Sequence, residues 1–422
     1  MYRKISFLIL FVFILGSSVS GQDSIVTKQK DLFDIFWPKK QTLQNETYEK
    51  GKWYPSFLPV LGYAPAYGFV AGVGASLSTL YGDQSNTSVS TYLANVNVTS
   101  KEQVLINLRS YIYTNDNKWI FQGDFRVLIF TQPTYGLGIY SVPATEKKAN
   151  YILLNDKGEN PEGQPMLFNY IRFYENGFRR ISNHLYLGGG ALLEWHTSIK
   201  DTKLNLEEPD IHYTDHYRYS TQKGFNPKEY FTNGLNLSAI FDTRDNAANA
   251  YKGNFMQLGI RQNLKLFGSE ASSTQINYEY RKYFSLNQKM KGQVLAFWVL
   301  GQFLVDGKIP YLALPSIGWD TYNRSGRGFV QGRFRAENLL YGETEYRHPV
   351  TRNGLIGLVG FFNATTMASE FAGQKFLDAT AFGYGAGLRV KMTKLTRTNI
   401  GMDIANGSYR NFAIYFNLQE TF

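Results

Sequence analysis

From about residue 63 onward the apolar side chains of this chain recur at every second position, and a period of two argues for strands with one apolar and one wet face. Met256, Leu258, Ile260, Leu264 and Leu266 share one face, while Gln257, Gly259, Arg261, Asn263 and Lys265 share the other. The next stretch repeats the pattern, with Ile276, Tyr278, Tyr280 and Phe284 opposing Gln275, Asn277, Glu279 and Arg281. At the end Phe412, Ile414, Phe416 and Leu418 oppose Ala413, Tyr415, Asn417 and Gln419. Past residue 21 no apolar run approaches the ~18 to 20 residues a spanning helix needs. Disorder is excluded by 43% hydrophobic content that includes 30 Tyr and 31 Phe. The absence of Cys excludes a disulfide scaffold, a thiolate metal site and a cysteine nucleophile.

Two architectures fit such alternation, a stack of soluble sandwiches or one barrel in lipid. The strands run to roughly 12 to 17 residues, well beyond the ~5 to 6 usual in soluble sheets. Very short connections (115–117, 286–289, 351–353) contrast with long ones (142–164, 200–228, 306–334), as in outer-membrane barrels. The wet face mixes Arg, Lys, Glu and Gln with Gly and Asn, as a polar lumen would. Closure also satisfies every backbone group, which lipid demands. The fold expected is therefore all-β, a 16-stranded antiparallel transmembrane β-barrel. Its first strand is read at 65–81, a fifth at 134–141 and the last at 409–422, ending on the aromatic Phe422 as many bacterial barrels do.

Ahead of the barrel, Arg3 and Lys4 precede the apolar stretch Ile5–Leu15, and small or tolerated residues follow up to Gly21. Residues 1–21 thus read as a signal peptide for export. Residues 22–60 are polar and Lys-rich and are expected to form a periplasmic tail or plug segment, with the barrel domain spanning 61–422. The net charge of +10 would ordinarily raise nucleic acid as a partner, but Arg109, Arg261, Arg281 and Arg389 stand singly on polar-facing positions, so none is expected. His212 and His216 have an i,i+4 spacing with Asp210 or Asp215 nearby, yet the stretch shows no apolar helical period. A solvated, Tyr-rich loop is the expectation there, with no metal and no cofactor. No Ser nucleophile stands at a recognisable spacing from a His, and the Gly-rich stretches fall on strands, so no enzyme is expected.

Four segments narrow the class of barrel. Asp242, Arg244 and Asp245 occupy the turn Phe241–Asn246 after the eighth strand, and Lys252 and Gly253 open the ninth. Gly326, Arg327, Gly328 and Phe329 fall in the long segment between strands eleven and twelve. Tyr341–Pro349 follows, with Glu343, Glu345 and Arg347 on one face. Gly385–Arg389 and Asn399–Asp403 form a penultimate hairpin. Each in its proper strand, these resemble the BamA/TamA family of outer-membrane insertases and transporters, the bacterial surface antigen family. The similarity is clearest from about residue 229 to the end.

The resemblance implies a sixth outer loop whose Arg-Gly-Phe tip docks in the lumen, with Arg327 against Glu345. Asn363 stands where the family has an Asp, so it is expected to be a neutral hydrogen-bonding neighbour, and Asn363→Asp to steady the docked state. The family's globular periplasmic repeats are not expected ahead of this barrel. The function implied is insertion or translocation of polypeptides at the outer membrane of a Gram-negative bacterium, through a weak seam between the first and last strands. Gly68, Gly72 and Gly74 on the strand read as the first would weaken pairing there. Partners expected are outer-membrane lipid, nascent outer-membrane or secreted polypeptides, and periplasmic or lipoprotein companion subunits. The alternative is a passive channel or structural barrel without assembly activity.

Overall fold

A computed structural model describes residues 29–36, 48–64, 68–139, 163–287, 290–321, 323–409 and 411–422. The expected signal peptide, and residues 142–162 of the first long loop, lie outside the described residues. The first eight strands are β1 (Trp53–Ala64), β2 (Gly68–Thr79), β3 (Ser90–Thr99), β4 (Val104–Tyr113), β5 (Trp119–Thr134), β6 (Gln164–Ser182), β7 (Leu185–Asp201) and β8 (Tyr230–Asp242). The second eight are β9 (Gly253–Asn263), β10 (Ser273–Ser285), β11 (Val294–Gly307), β12 (Asn338–Pro349), β13 (Ile356–Ala368), β14 (Thr380–Thr393), β15 (Thr398–Gly407) and β16 (Asn411–Leu418). All 16 form one antiparallel sheet in sequence order, and β16 comes round to lie beside β1.

Burial shows which face meets lipid. Val73, Ile129, Leu237, Leu258, Leu358 and Phe416 are exposed, whereas Arg126, Glu194, Glu343, Glu345, Arg389 and Asp403 are buried. A soluble sheet would do the reverse; charged residues inward and aliphatics outward belong to a membrane barrel. The alternation decides this because a slip of one residue would put the whole charged set into lipid.

The two ends of the barrel differ. The ends of β5 and β6, of β7 and β8, and of β11 and β12 that are joined by the long connections lie at one end, here the loop end. The opposite turn end carries links such as 114–118, 183–184, 350–355 and 394–397, together with the residues that enter β1 and leave β16.

The structure corrects the strand assignment at both ends of the chain. Of the strand read at 134–141, Thr134 ends β5 and the other described residues, 135–139, form no strand of their own, because Gly136 (φ 83°) and Gly138 (φ 84°) are left-handed. The apolar alternation of Leu137 and Ile139 instead buries both side chains in a loop, and Gly138 donates to the Arg335 carbonyl at 2.7 Å. The missing strand is β1, paired along its whole length with β2. Pro55 and Pro59 disguise it, since proline cannot donate to a ladder and is tolerated on an edge. The sheet therefore begins at Trp53, so a boundary at 61 cuts through β1. Gly68, Gly72 and Gly74 lie on β2, one strand away from the seam. The two shifts cancel in the strand count but reverse the direction of the first four strands read from the sequence.

Two short helices accompany the sheet, α1 (Leu32–Phe36) at the turn end and α2 (Asp215–Lys223) at the loop end. α2 corrects the reading of 200–228 as a purely solvated loop. Thr214 caps it by accepting from Tyr217 N, and Gly224 (φ 70°) ends it. Its buried face is Asp215, His216, Tyr219 and Ser220, so no aliphatic period announces it. His212 lies outside the helix, bridged to Asn205. His216 packs against Tyr311 at 5.5 Å between ring centroids, and its Nδ1 stands 3.6 Å from Asp201.

Candidate functional site

The segment 308–337 turns back over the barrel interior and is pinned on two opposite walls. Near its start Pro310 precedes a 3-10 turn (Tyr311–Ala313), whose carbonyls are gathered by the buried Arg335. Asp320 then accepts from the backbone N–H of Arg324 (3.0 Å) and Ser325 (2.8 Å), making a tight bend. Arg126 of β5 reaches this bend from one wall. It donates to the carbonyls of Asp320 (3.0 Å) and Thr321 (2.8 Å) and to the Asn323 side chain (2.5 Å). Arg126 is itself oriented by Asp124, 2.8 Å from Nε.

Across the interior, the tip meets the other wall. The Arg327 guanidinium donates to Glu343 and Glu345 of β12 and, at 3.2 Å, to Asp403 of β15. It lies flat over the Phe361 ring of β13, 3.6 Å from the centroid. A planar fork with five donors suits several carboxylates at once, which an ammonium could not match in geometry. Arg347 bonds the far oxygen of Glu345 (2.7 Å), and Arg389 bonds that of Asp403 (2.5 Å). Glu343 is held in addition by the Tyr341 hydroxyl. Arg327, Glu343, Glu345 and Asp403 are all at most 3% exposed. Mutual pairing is what makes so many buried charges tolerable.

Backbone contacts fix the tip as firmly as the charges. Gly326 and Gly328 have φ of 80° and 101°, which only glycine adopts without strain. Tyr415 of β16 donates to the Phe329 carbonyl and accepts from Gly328 N, both at 3.0 Å. Phe329 is buried edge-on to Phe334, 4.9 Å between centroids. The tip lies so close to the wall that a Cβ on Gly383 of β14 would stand 2.3 Å from the Arg327 carbonyl.

The structure brings Gly326, Arg327, Gly328, Phe329, Glu345 and Asn363 together, and adds Glu343, Asp403, Arg389, Arg126 and Gly383. Glu343 carries a readable signal, since it shares a face with Glu345 two positions on. Asp403 and Arg126 sit on other strands, and nothing local in the sequence ties them to the tip. Asn363 stands beside Arg327 as a neutral hydrogen-bonding neighbour, at its main chain rather than its guanidinium. Its amide donates to the Arg327 main-chain oxygen at 2.8 Å, while Asp403 supplies the further carboxylate to the guanidinium.

The turn residues Asp242, Arg244 and Asp245 form a separate pin at the turn end. Arg244 chelates Asp242 through Nε (3.0 Å) and Nη2 (2.8 Å), and stacks over Phe255 at 4.5 Å. Asp245 accepts from Arg397, in the β14–β15 turn, at 2.8 Å. Phe422 also departs from its expected place. β16 stops at Leu418, Gln419 takes φ 80°, and residues 419–422 turn inward. Phe422 packs against Trp298 and Tyr283, and its main-chain oxygen accepts from Arg347 at 2.7 Å. Among the described residues, no group of three His, Asp or Glu side chains is placed to hold a metal ion.

With this geometry established, sequence comparison assigns the family. The Omp85 superfamily domain matches residues 191–422. The chain belongs to the Omp85 superfamily. The matched span, from β7 to the end, holds the loop, its carboxylates and the β8–β9 turn. Omp85 barrels handle polypeptide substrates and work with other proteins, so this chain is an outer-membrane β-barrel with a general role in polypeptide insertion or translocation.

The solved structures similar to it include two outer-membrane barrels. BamA from Haemophilus ducreyi lacking POTRA domains 1-3 is 13% identical with a TM-score of 0.49, over 86% of this chain and 69% of that one. CdiB from Acinetobacter baumannii is 12% identical with a TM-score of 0.49, over 87% of this chain and 59% of that one. No curated protein sequence matches the chain.

Proposed function

We propose that this Omp85 barrel inserts or translocates polypeptides at the outer membrane of a Gram-negative bacterium, with segment 308–337 acting as a lid in its lumen. The observation that carries the reading is the double anchorage of that segment, at Arg126 on one wall and Arg327 on the other. A loop held by exchangeable ion pairs and hydrogen bonds, rather than by an apolar core alone, can be released without unfolding the barrel. No chemistry is assigned to the site; its work is binding and gating. Nascent outer-membrane or secreted polypeptides are the clients, and periplasmic or lipoprotein companion subunits supply whatever delivers them. In this reading residues 1–21 are cleaved after export and the loop end faces outward.

Depletion of the protein followed by quantification of the outer-membrane proteome tests the reading. Loss of a defined set of barrels or secreted proteins is the expected result. An unchanged proteome, with altered permeability to small solutes, would replace it by the passive channel.

A further inference from the structure

One side chain on the outer wall of the barrel departs from the pattern of the rest. On β6 the buried Phe168, Tyr170, Arg172, Asn176 and Phe178 face the interior, while Leu167, Ile171 and Phe173 between them face outward into lipid. Glu175 belongs to the outward set and is exposed. The mid-strand carboxylates Asp124, Glu194, Glu343, Glu345 and Asp403 are instead buried in the lumen, each with a guanidinium partner. Among the described residues the Glu175 carboxylate has no ion pair and no hydrogen bond.

Its depth places it in hydrocarbon. At the turn end Trp119 of β5 and Arg179 of β6 are exposed and stand in register, and such a pair marks a membrane–water interface. Glu175 is four residues further into the sheet, about 10 Å inward of that level on a strand tilted by ~40°. Towards the loop end the apolar belt continues through Phe173, Ile171 and Leu167. The wall is also low around Glu175. Ser110, Gly123, Glu175 and Ala191 form one row across β4, β5, β6 and β7. The next outward row towards the loop end is Leu108, Phe125, Phe173 and Leu193, a ridge of bulky side chains. A Cβ on Gly123 would stand 2.8 Å from Glu175 Oε2, so the carboxylate lies along the trough rather than reaching for the headgroups.

We propose that this trough is a docking site within the membrane for a companion chain that brings a Lys or Arg side chain to the level of Glu175. Charge complementarity names the occupant: a carboxylate in hydrocarbon is costly alone, and a cation beside it offsets the cost. The small side chains of Ser110, Gly123 and Ala191 let the companion's backbone come close enough for the pair to form away from water. The companion must itself cross the membrane, because lipid ammonium headgroups stay at the interface, about 10 Å away. A second copy of this chain supplies no cation. A twofold axis along the membrane normal keeps residues at equal depth and sets Glu175 against Glu175.

A photoreactive benzophenone side chain in place of Leu193, on the ridge beside the trough, tests this in native membranes. The same probe in place of Phe362, exposed on β13 across the barrel, is the control. The Leu193 probe should give one crosslinked protein, identified by mass spectrometry, that carries a Lys or Arg in a membrane-spanning segment. Glu175→Gln should lower the yield about tenfold, as loss of one charge-assisted bond implies, and leave the control unchanged. That variant removes a charge from lipid, so the barrel should fold at least as well, which its heat-modifiable migration on gels reports. Glu175→Lys, combined with exchange of the companion's basic residue for Glu, should restore the crosslink. Absence of a crosslink, a crosslink to lipid alone, to a second copy or to a protein without such a basic residue, or a yield unchanged by Glu175→Gln would overturn the inference. The readout needs no client polypeptide, so it stands or falls apart from the proposed function.

Discussion

Arg327→Ala should release the lid, and the structure says which carboxylate bears the loss. Breaking one side of a well-buried ion pair costs ~3 to 5 kcal/mol, because the other charge stays buried and unpaired. Three carboxylates face Arg327, but they are not equally dependent on it. Glu345 keeps Arg347 at 2.7 Å, and Asp403 keeps Arg389 at 2.5 Å. Glu343, among the described residues, keeps the neutral hydroxyl of Tyr341 and no second guanidinium. The cost should therefore concentrate on Glu343. In a double-mutant cycle, Arg327→Ala with Glu343→Gln should show coupling of ~1.5 to 3 kcal/mol, and Arg327→Ala with Glu345→Gln less than ~1. The open-to-closed ratio of the purified barrel in planar bilayers measures both, a coupling of ~2.8 kcal/mol being about a hundredfold in that ratio. Arg327→Lys should recover only part of the closed state, because an ammonium cannot present the same fork. Equal couplings, or a larger one at Glu345, would refute the assignment of Glu343 as the dependent partner. Unchanged conductance in Arg327→Ala would refute the lid itself.

Gly383→Ala places a Cβ 2.3 Å from the Arg327 carbonyl, so it should displace the tip and raise conductance. Gly360→Ala on β13, where a Cβ meets nothing within 4 Å, should leave it unchanged. Asn363→Asp removes the donor to the Arg327 carbonyl and sets a carboxylate against it, so the closed state should weaken by ~1 to 3 kcal/mol in the same bilayer assay. Arg126→Ala should loosen the opposite anchor. Combined with Arg327→Ala it should be additive within ~0.5 kcal/mol, since the two guanidinium groups share no partner.

The period-two pattern by itself determined that this chain makes long strands with a charged face, and the contrast of short and long connections made those strands a membrane barrel. Both follow from chain geometry: side chains alternate across a strand, and lipid rejects charge on one face of it. Glycines at 326 and 328 flanking Arg327 were likewise legible, because a tight, left-handed backbone leaves a mark on composition. Where the sequence misled, a competing local rule was at work. Pro55 and Pro59 concealed a strand that needs no donors on its outer edge, and two left-handed glycines spoiled the strand read at 134–141. α2 was hidden because its buried face is built of His, Tyr and Ser.

The partners of Arg327 lay beyond such rules. Asp403 is 76 residues from it, and Arg126, on the facing wall, is 197 residues from its own partner Asn323. Only closure of the sheet brings these strands around one interior. Asn363 shows the limit most clearly: its residue type and strand were readable, but a main-chain oxygen delivered by a distant loop decided what its amide does. Residues 419–422 obey the same logic. Their alternation continues that of β16, yet the guanidinium groups of Arg324, Arg347 and Arg389, converging from a loop and two other strands, draw them off the strand and into the lumen.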